Sequence, residues 1–193
     1  GGNRTISDPG KELKIIQRRI VRRIFCNCKF PPYLFGSVKD EDNPRDFVRN
    51  AEYHVDAAEI IAFDIDSFFP SDQVKFIRAV FKYLFNFPDE VCDILVGITS
   101  LNGGLPQGAP TSSYLANLVF YDCEYKLVKT LQAKGLKYTR LVDDISVSSV
   151  KHIDGPTRTF VFNNVTGLLA EKKLKISKRK YKITNTKLHG EKT

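Results

Sequence analysis

Along the 193-residue chain, hydrophobic positions recur with two different periods. Over residues 11–28, Leu13, Ile16, Ile20 and Ile24 repeat at helical spacing, which predicts an amphipathic helix with Arg18, Arg19, Arg22 and Arg23 on its other faces. Pro31, Pro32, Gly36 and Pro44 break the next stretch into turns, and a short helix is expected from Pro44 or Arg45 to about Val55. The run EIIAFDIDSFF, residues 59–69, then becomes continuously apolar, as a central strand does, and stops at Pro70. Ser71 or Asp72 is placed to cap a helix reaching about Phe85, with Val74, Ile77, Val80, Phe81 and Leu84 facing inward.

Another helix is expected from Asp89 to about Ile98, and one more from the loop NGGLPQGAPTSS, residues 102–113, to about Ala133. Residues 136–150 read as a β-hairpin with Asp143 and Asp144 near its tip, and residues 154–174 as largely helical. The final stretch, 174–193, alternates apolar and basic residues as an exposed edge strand would. This order of elements predicts an α+β fold with a small antiparallel sheet flanked by helices. No repeat or linker divides the chain, so one structural unit is expected.

A hydrophobic fraction of 42% fits a folded domain. The longest apolar runs fall well short of the roughly 20 residues that cross a bilayer. With no signal-peptide pattern and four irregularly spaced cysteines, a cytoplasmic protein with reduced thiols and no membrane partner is expected. Cys26 and Cys28 stand too close together for a zinc knuckle. The formal charge is +8, and the excess is clustered: the four arginines at 18–23, then Lys172, Lys173, Lys175, Lys178, Arg179, Lys180, Lys182 and Lys187. Two such clusters favour a polyanionic partner, because neutralised phosphates release their counterions.

Carboxylates inside apolar strands are costly unless something positive compensates them. Asp64 and Asp66 are spaced i, i+2 in the predicted central strand, which points both to one face, and Asp143 and Asp144 sit in the predicted hairpin. If the two strands are neighbours, three or four carboxylates converge, and hard oxygen donors of this kind suit Mg2+. Spacing alone leaves two unrelated ion pairs as the other explanation. The segment between them, LPQGAPTSSYLANLVF, reads as a tight loop entering a helix: Gly108 permits close backbone approach, and Thr111 or Ser112 caps.

Taken in order, FDIDSFFPS, GGLPQGAPTSSYLANLVFYDCE and YTRLVDDISVSS resemble the successive polymerase motifs of reverse transcriptases, most of all the bacterial retron-type enzymes. The likeness extends outward. GGNRTISDPGKELKIIQRRI is similar to the family's fingers segment, PRDFVRNAEYHV to the stretch before the first catalytic strand, and LKISKRKYKI to the lysine-bearing motif after the catalytic hairpin. The resemblance implies a polymerase palm (59–193) preceded by a fingers segment with the basic helix (1–58). It also implies RNA-directed DNA polymerase activity, a nucleotidyl transfer to a primer 3′-hydroxyl with two Mg2+ ions. Asp64 and Asp143 are implied as the principal metal ligands, with Asp144 beside them and the Ile65 carbonyl as a further ligand; Asp66 matches a variable position. Phe69 falls at the steric gate that crowds a ribose 2′-hydroxyl. Gln107 and Gly108 would line the nucleotide and template pocket, Arg4 would grip the triphosphate, and Lys180 would protonate the leaving pyrophosphate. Implied partners are an RNA template, a DNA or RNA primer, deoxynucleoside triphosphates and a structured noncoding RNA, with antiviral defence as the setting.

Two departures stand out. Leu141 occupies a position where the family usually has an aromatic residue, and the primer grip and helical thumb expected after the palm are absent from the 193 residues. A catalytically weak RNA-binding or assembly module of the intron-maturase kind, and a template-independent or protein-primed DNA polymerase, share most of these features. The polymerase reading requires Asp64 and Asp143 to meet in a pocket that no lysine or arginine head group plugs. For His54, a satisfied, partly buried histidine is expected rather than a catalytic one.

Overall fold

The structure is a computed structural model that describes residues 7–37 and 44–186; Arg4 and Lys187 lie outside them. Its contacts gather into two compact units. One joins the described residues up to Phe30 with Ser67–Tyr121, and the other joins those of Pro31–Asp66 with those from Asp122 onward.

The second unit contains a five-stranded sheet in the order β1-β3-β4-β2-β5. Its strands are β1 (Leu34–Phe35), β2 (Glu59–Asp64), β3 (Lys137–Leu141), β4 (Asp144–Ser149) and β5 (Lys182–Asn185). All neighbours are antiparallel except β1 and β3, which run parallel. The edge strand β5 lies in the stretch expected to form one, but of its described residues it takes only Lys182–Asn185.

Because strand side chains alternate, the register splits the sheet into two faces. Ile61, Phe63, Tyr138, Arg140, Ile145 and Val147 share one face and are almost fully buried. Helices α6 (Glu124–Gln132) and α7 (Gly155–Glu171) belong to this layer, with Phe162 of α7 6.4 Å from Phe63 between ring centres. Asp154 caps α7 by accepting from the Thr157 N–H at 2.8 Å. The opposite face carries Asp64, Thr139, Asp144, Ser146 and Ser148. Helix α2 (Phe47–Tyr53) and His54 cover one end of that face and leave the aspartate end uncovered by them.

The first unit is helical: α1 (Lys11–Arg23), α3 (Val74–Ala79), α4 (Asp89–Thr99) and α5 (Ser112–Leu118). Its core is aromatic, with Phe25 lying 6.2 Å from Phe81, 5.9 Å from Phe85 and 5.7 Å from Tyr114. Among the described residues, no helix is long and apolar enough to cross a membrane.

Several expectations need correction. Helix α1 buries Gln17 and Ile20, while Leu13 and Ile16 stay 37% and 42% exposed. The Gln17 amide donates to the Ile98 carbonyl at 2.8 Å, one of the orphan acceptors in the last turn of α4, and this contact rotates the buried stripe. Helix α3 starts after Gln73 rather than Ser71 or Asp72, and it widens into a π-helical turn over Val80–Leu84. The wider turn carries Leu84 off the inner face, leaving it 40% exposed. The single helix expected to Ala133 is two, α5 and α6, because the chain turns where buried Phe120 anchors against Phe68, 5.9 Å between ring centres. Asp66 lies beyond the end of β2 and is exposed, so it does not share a strand face with Asp64. Lys172 is no surface cation: it is 4% exposed and donates to Asp122 at 2.6 Å.

His54 is satisfied and buried, as expected. At 5% exposure, its Nδ1 pairs with the Ser148 hydroxyl at 2.6 Å and its Nε2 with the Thr139 hydroxyl at 2.7 Å. Burial first, and the Lys137 charge second, lower its pKa to about 4. The unfolded chain therefore takes up a proton near pH 6.5 that the folded chain refuses until about pH 4. Stability is unaffected by this group above about pH 6.5 and falls by about 3 kcal/mol as pH drops to about 4. Urea unfolding across this range should show that acid loss in the parent and a flatter curve in His54→Gln.

Candidate functional site

Strand β2 ends on Asp64, and the β2–β4 register sets Asp64 directly opposite Asp144. Beyond the strand, the Ile65 N–H donates to the Asp143 carbonyl at 3.0 Å, and the Ser177 N–H donates to the Asp64 carbonyl at 2.8 Å. Backbone pairing thus gathers the three aspartates at one corner of the sheet. Partial burial first, then the charges of Asp143 and Asp64, raise the Asp144 carboxyl above its ordinary range, and Asp144 shares a hydrogen bond with Asp64. Asp144 remains an exposed residue, so solvent screens part of this repulsion. Among the described residues, no group of three or more His, Cys, Asp or Glu side chains is placed to hold a metal ion. The donor chemistry nonetheless fits a hard cation such as Mg2+, which binds one or two carboxylates and completes its shell with water and phosphate oxygens. Asp64 is 6% exposed and Ile65 is buried.

A lysine head group does reach this corner. Lys180 Nζ bonds Asp64 Oδ1, and that bond raises the lysine above its ordinary pKa. The Lys180 side chain is 54% exposed and that of Asp64 9%, so the lysine reaches the buried carboxylate from the solvent side, where the polymerase reading requires that no basic head group plug the pocket. Of the crowded basic residues around 178–182, Lys180 is the one bonded to the carboxylate corner.

The hairpin turn between β3 and β4 consists of Val142 and Asp143. Val142 has φ +60°, a left-handed conformation that costs a β-branched residue about 1–3 kcal/mol. Beneath the turn lies a buried charge cluster. Arg140 Nε and Nη2 grip the Glu124 carboxylate at 2.6 and 2.9 Å, and the Tyr138 hydroxyl donates to the same carboxylate at 2.7 Å. Neither Arg140 nor Glu124 stands out by motif; the sequence signal is that Arg140 alternates in phase with Leu136 and Tyr138. Leu141 packs against Gly36, where a Cβ would come within 2.6 Å of Leu141 Cδ1 at a backbone φ of +76°.

Phe69, Gln107 and Gly108 belong to the helical unit. Phe68 takes the core position at 2% exposure, while Phe69 stays half-exposed beside it, 5.7 Å between ring centres. The glycine loop packs on the turn that carries Phe69: the Leu105 N–H donates to the Phe69 carbonyl at 2.7 Å. Gly104 permits this approach, since a Cβ there would sit 2.5 Å from the Phe69 oxygen. Gly108 has φ +107°, and the Gln107 carbonyl accepts from the Ser7 N–H at 2.8 Å. Thr111 precedes α5 without a capping bond; instead the Ser112 hydroxyl donates to the Pro106 carbonyl at 2.7 Å. Arg4 lies outside the described residues.

Comparison with known proteins places this geometry in context. The family model described as reverse transcriptase (RNA-dependent DNA polymerase) matches residues 1–190. The Retron Se72 reverse transcriptase of Salmonella heidelberg is 37% identical over 95% of this chain and 48% of its own length. The Retron Ec48 reverse transcriptase of Escherichia coli is 36% identical over 98% of this chain and 49% of its own. The chain thus spans about half the length of these two curated relatives. Among solved structures, telomerase from Candida albicans shares the fold with a TM-score of 0.57 at 14% identity, covering 92% of this chain and 34% of its own. With the family's motifs in order along the sequence and a mixed α+β fold carrying the aspartate hairpin, the chain belongs to the reverse transcriptase family.

Proposed function

We propose that this chain is the polymerase core of a retron-type RNA-directed DNA polymerase. The observation that carries the reading is the pairing of β2 with β4, which sets Asp64 opposite Asp144 while Asp143 bonds across to Ile65. Asp64, Asp143 and Asp144, with the Ile65 carbonyl, would hold two Mg2+ ions. When bound, Mg2+ supplies Lewis-acid neutralisation of phosphate charge and lowers the pKa of an attacking hydroxyl. The residues of the chain do the rest. Rigid strand backbone fixes two of the carboxylates, so little reorganisation accompanies reaction at the α-phosphate. Lys180 keeps an ammonium on the same corner, ready to give a proton to the pyrophosphate oxygen as it leaves.

Phe69 would act as the steric gate; its partial exposure and its turn, held by the glycine loop, support that role. Gln107 and Gly108 would line the nucleotide and template pocket, and Arg4 would bind the triphosphate. The exposed Arg18, Arg19, Arg22 and Arg23 on α1 would follow an RNA or primer backbone. Lys172, held by Asp122, is not part of that track. The substrates are an RNA template, a primer and deoxynucleoside triphosphates, and a structured noncoding RNA is the expected partner in a defence setting.

Primer extension on an RNA template tests this. Asp64→Asn and Asp143→Asn should each lower incorporation by at least about 10³-fold with the far-ultraviolet circular dichroism unchanged. Equal incorporation by the parent and both variants would sink the reading. Phe69→Ala should raise ribonucleotide use relative to deoxynucleotide by about tenfold or more, read as the ratio of the two kcat/KM values.

A further inference from the structure

We propose that Arg140, locked in place by Glu124, is a positioning residue for Asp143: its guanidinium fixes the Val142–Asp143 peptide and thereby the turn that presents the Asp143 carboxylate. This rests on the reading of Asp143 as a metal ligand. Arg140 is fully buried and Glu124 is 2% exposed, so the pair is out of water and its geometry is tightly held. Two guanidinium nitrogens are committed to Glu124, and the Tyr138 hydroxyl donates to Glu124 Oε1, the oxygen that Arg140 Nε also bonds. Burial first, and Glu124 second, keep the Tyr138 hydroxyl protonated and donating. The remaining fork nitrogen, Nη1, donates to the Val142 carbonyl at 2.9 Å.

That carbonyl belongs to the central peptide of the hairpin turn. Val142 has a positive φ and Asp143 does not, which are the φ signs of a type II′ turn. Rotating the central peptide converts II′ into I′, which requires positive φ at both residues. Valine tolerates its position poorly, whereas aspartate accepts the left-handed region readily, so the local sequence does not by itself select II′ over I′. The bond from Arg140 opposes that rotation. A II′ turn ordinarily relies on glycine at its first position, and here a buried arginine takes over that task.

Replacing Arg140 alone would leave Glu124 buried and unpaired, which destabilises any fold. The informative variant is therefore Arg140→Met with Glu124→Gln, which removes both charges at similar volume and leaves the Tyr138 hydroxyl an acceptor. Mn2+ titration followed by electron paramagnetic resonance reads the carboxylate corner without turnover. The double variant should melt within about 5 °C of the parent, bind Mn2+ about tenfold more weakly, and show kcat lowered about 10- to 100-fold with nucleotide KM within about threefold. Adding Val142→Gly should restore most of the Mn2+ affinity, because glycine favours the II′ turn by itself. A folded double variant with parental Mn2+ affinity and kcat overturns the proposal, and so does a complete lack of rescue by Val142→Gly. Should the double variant fail to fold, Arg140→Lys decides: lysine keeps a charge opposite Glu124 without the fork, so weakened Mn2+ binding supports the proposal and unchanged binding overturns it. A parent that binds Mn2+ yet adds no nucleotide removes the polymerase reading, while the Mn2+ comparison still judges Arg140.

Discussion

Antiparallel pairing of β2 with β4 determines whether this molecule has a site at all. A slip of one residue between them would send alternate side chains to the wrong face and separate Asp64 from Asp144. Apolar burial holds the register. Ile61, Phe63, Ile145 and Val147 are each 0–1% exposed on the dry face, and each contributes about 1.5–3 kcal/mol when removed from water. Repulsion between two carboxylates about 4 Å apart amounts to roughly 1–4 kcal/mol at surface-like dielectric. Packing therefore wins, and it forces like charges together on the opposite face.

The same division explains how the hairpin bears its load from both sides. Its wet side carries Asp144 and abuts Asp64; its dry side carries Arg140, whose charge is neutralised by Glu124 from the first turn of α6. A buried ion pair is a poor source of stability compared with apolar packing. Its value here is directional: a guanidinium fork clamped by one carboxylate has a defined third direction in which to donate, toward the Val142 carbonyl. The strain stored at Val142 is thus matched by a partner placed on rigid elements.

Glycine plays a comparable role in the helical unit. Gly104 lets the loop approach the Phe69–Pro70 backbone at distances no side chain would allow, and this fixes the turn that carries Phe69. The GG dipeptide is visible in the sequence, but the backbone it must approach lies more than thirty residues earlier.

The meeting of Asp64, Asp143 and Asp144 at neighbouring strand ends, the tight glycine loop and an edge strand near the end of the chain were legible in the chain, because each is written in local residue order: a strand period, a turn dipeptide, an alternation. The helix stripe of α1, the π-turn at Val80–Leu84 and the break before α6 were not, since each follows from a distant partner or a change of helical phase: Ile98 for Gln17, the widened turn for Leu84, and Phe68 for Phe120. Lys172 and Arg140 make the contrast sharpest. As letters, both are surface cations; in the fold each is buried against an acid, Asp122 fifty positions away and Glu124 sixteen away. Local pattern specifies which residues carry charge, but only tertiary packing decides which of those charges meet water and which meet each other.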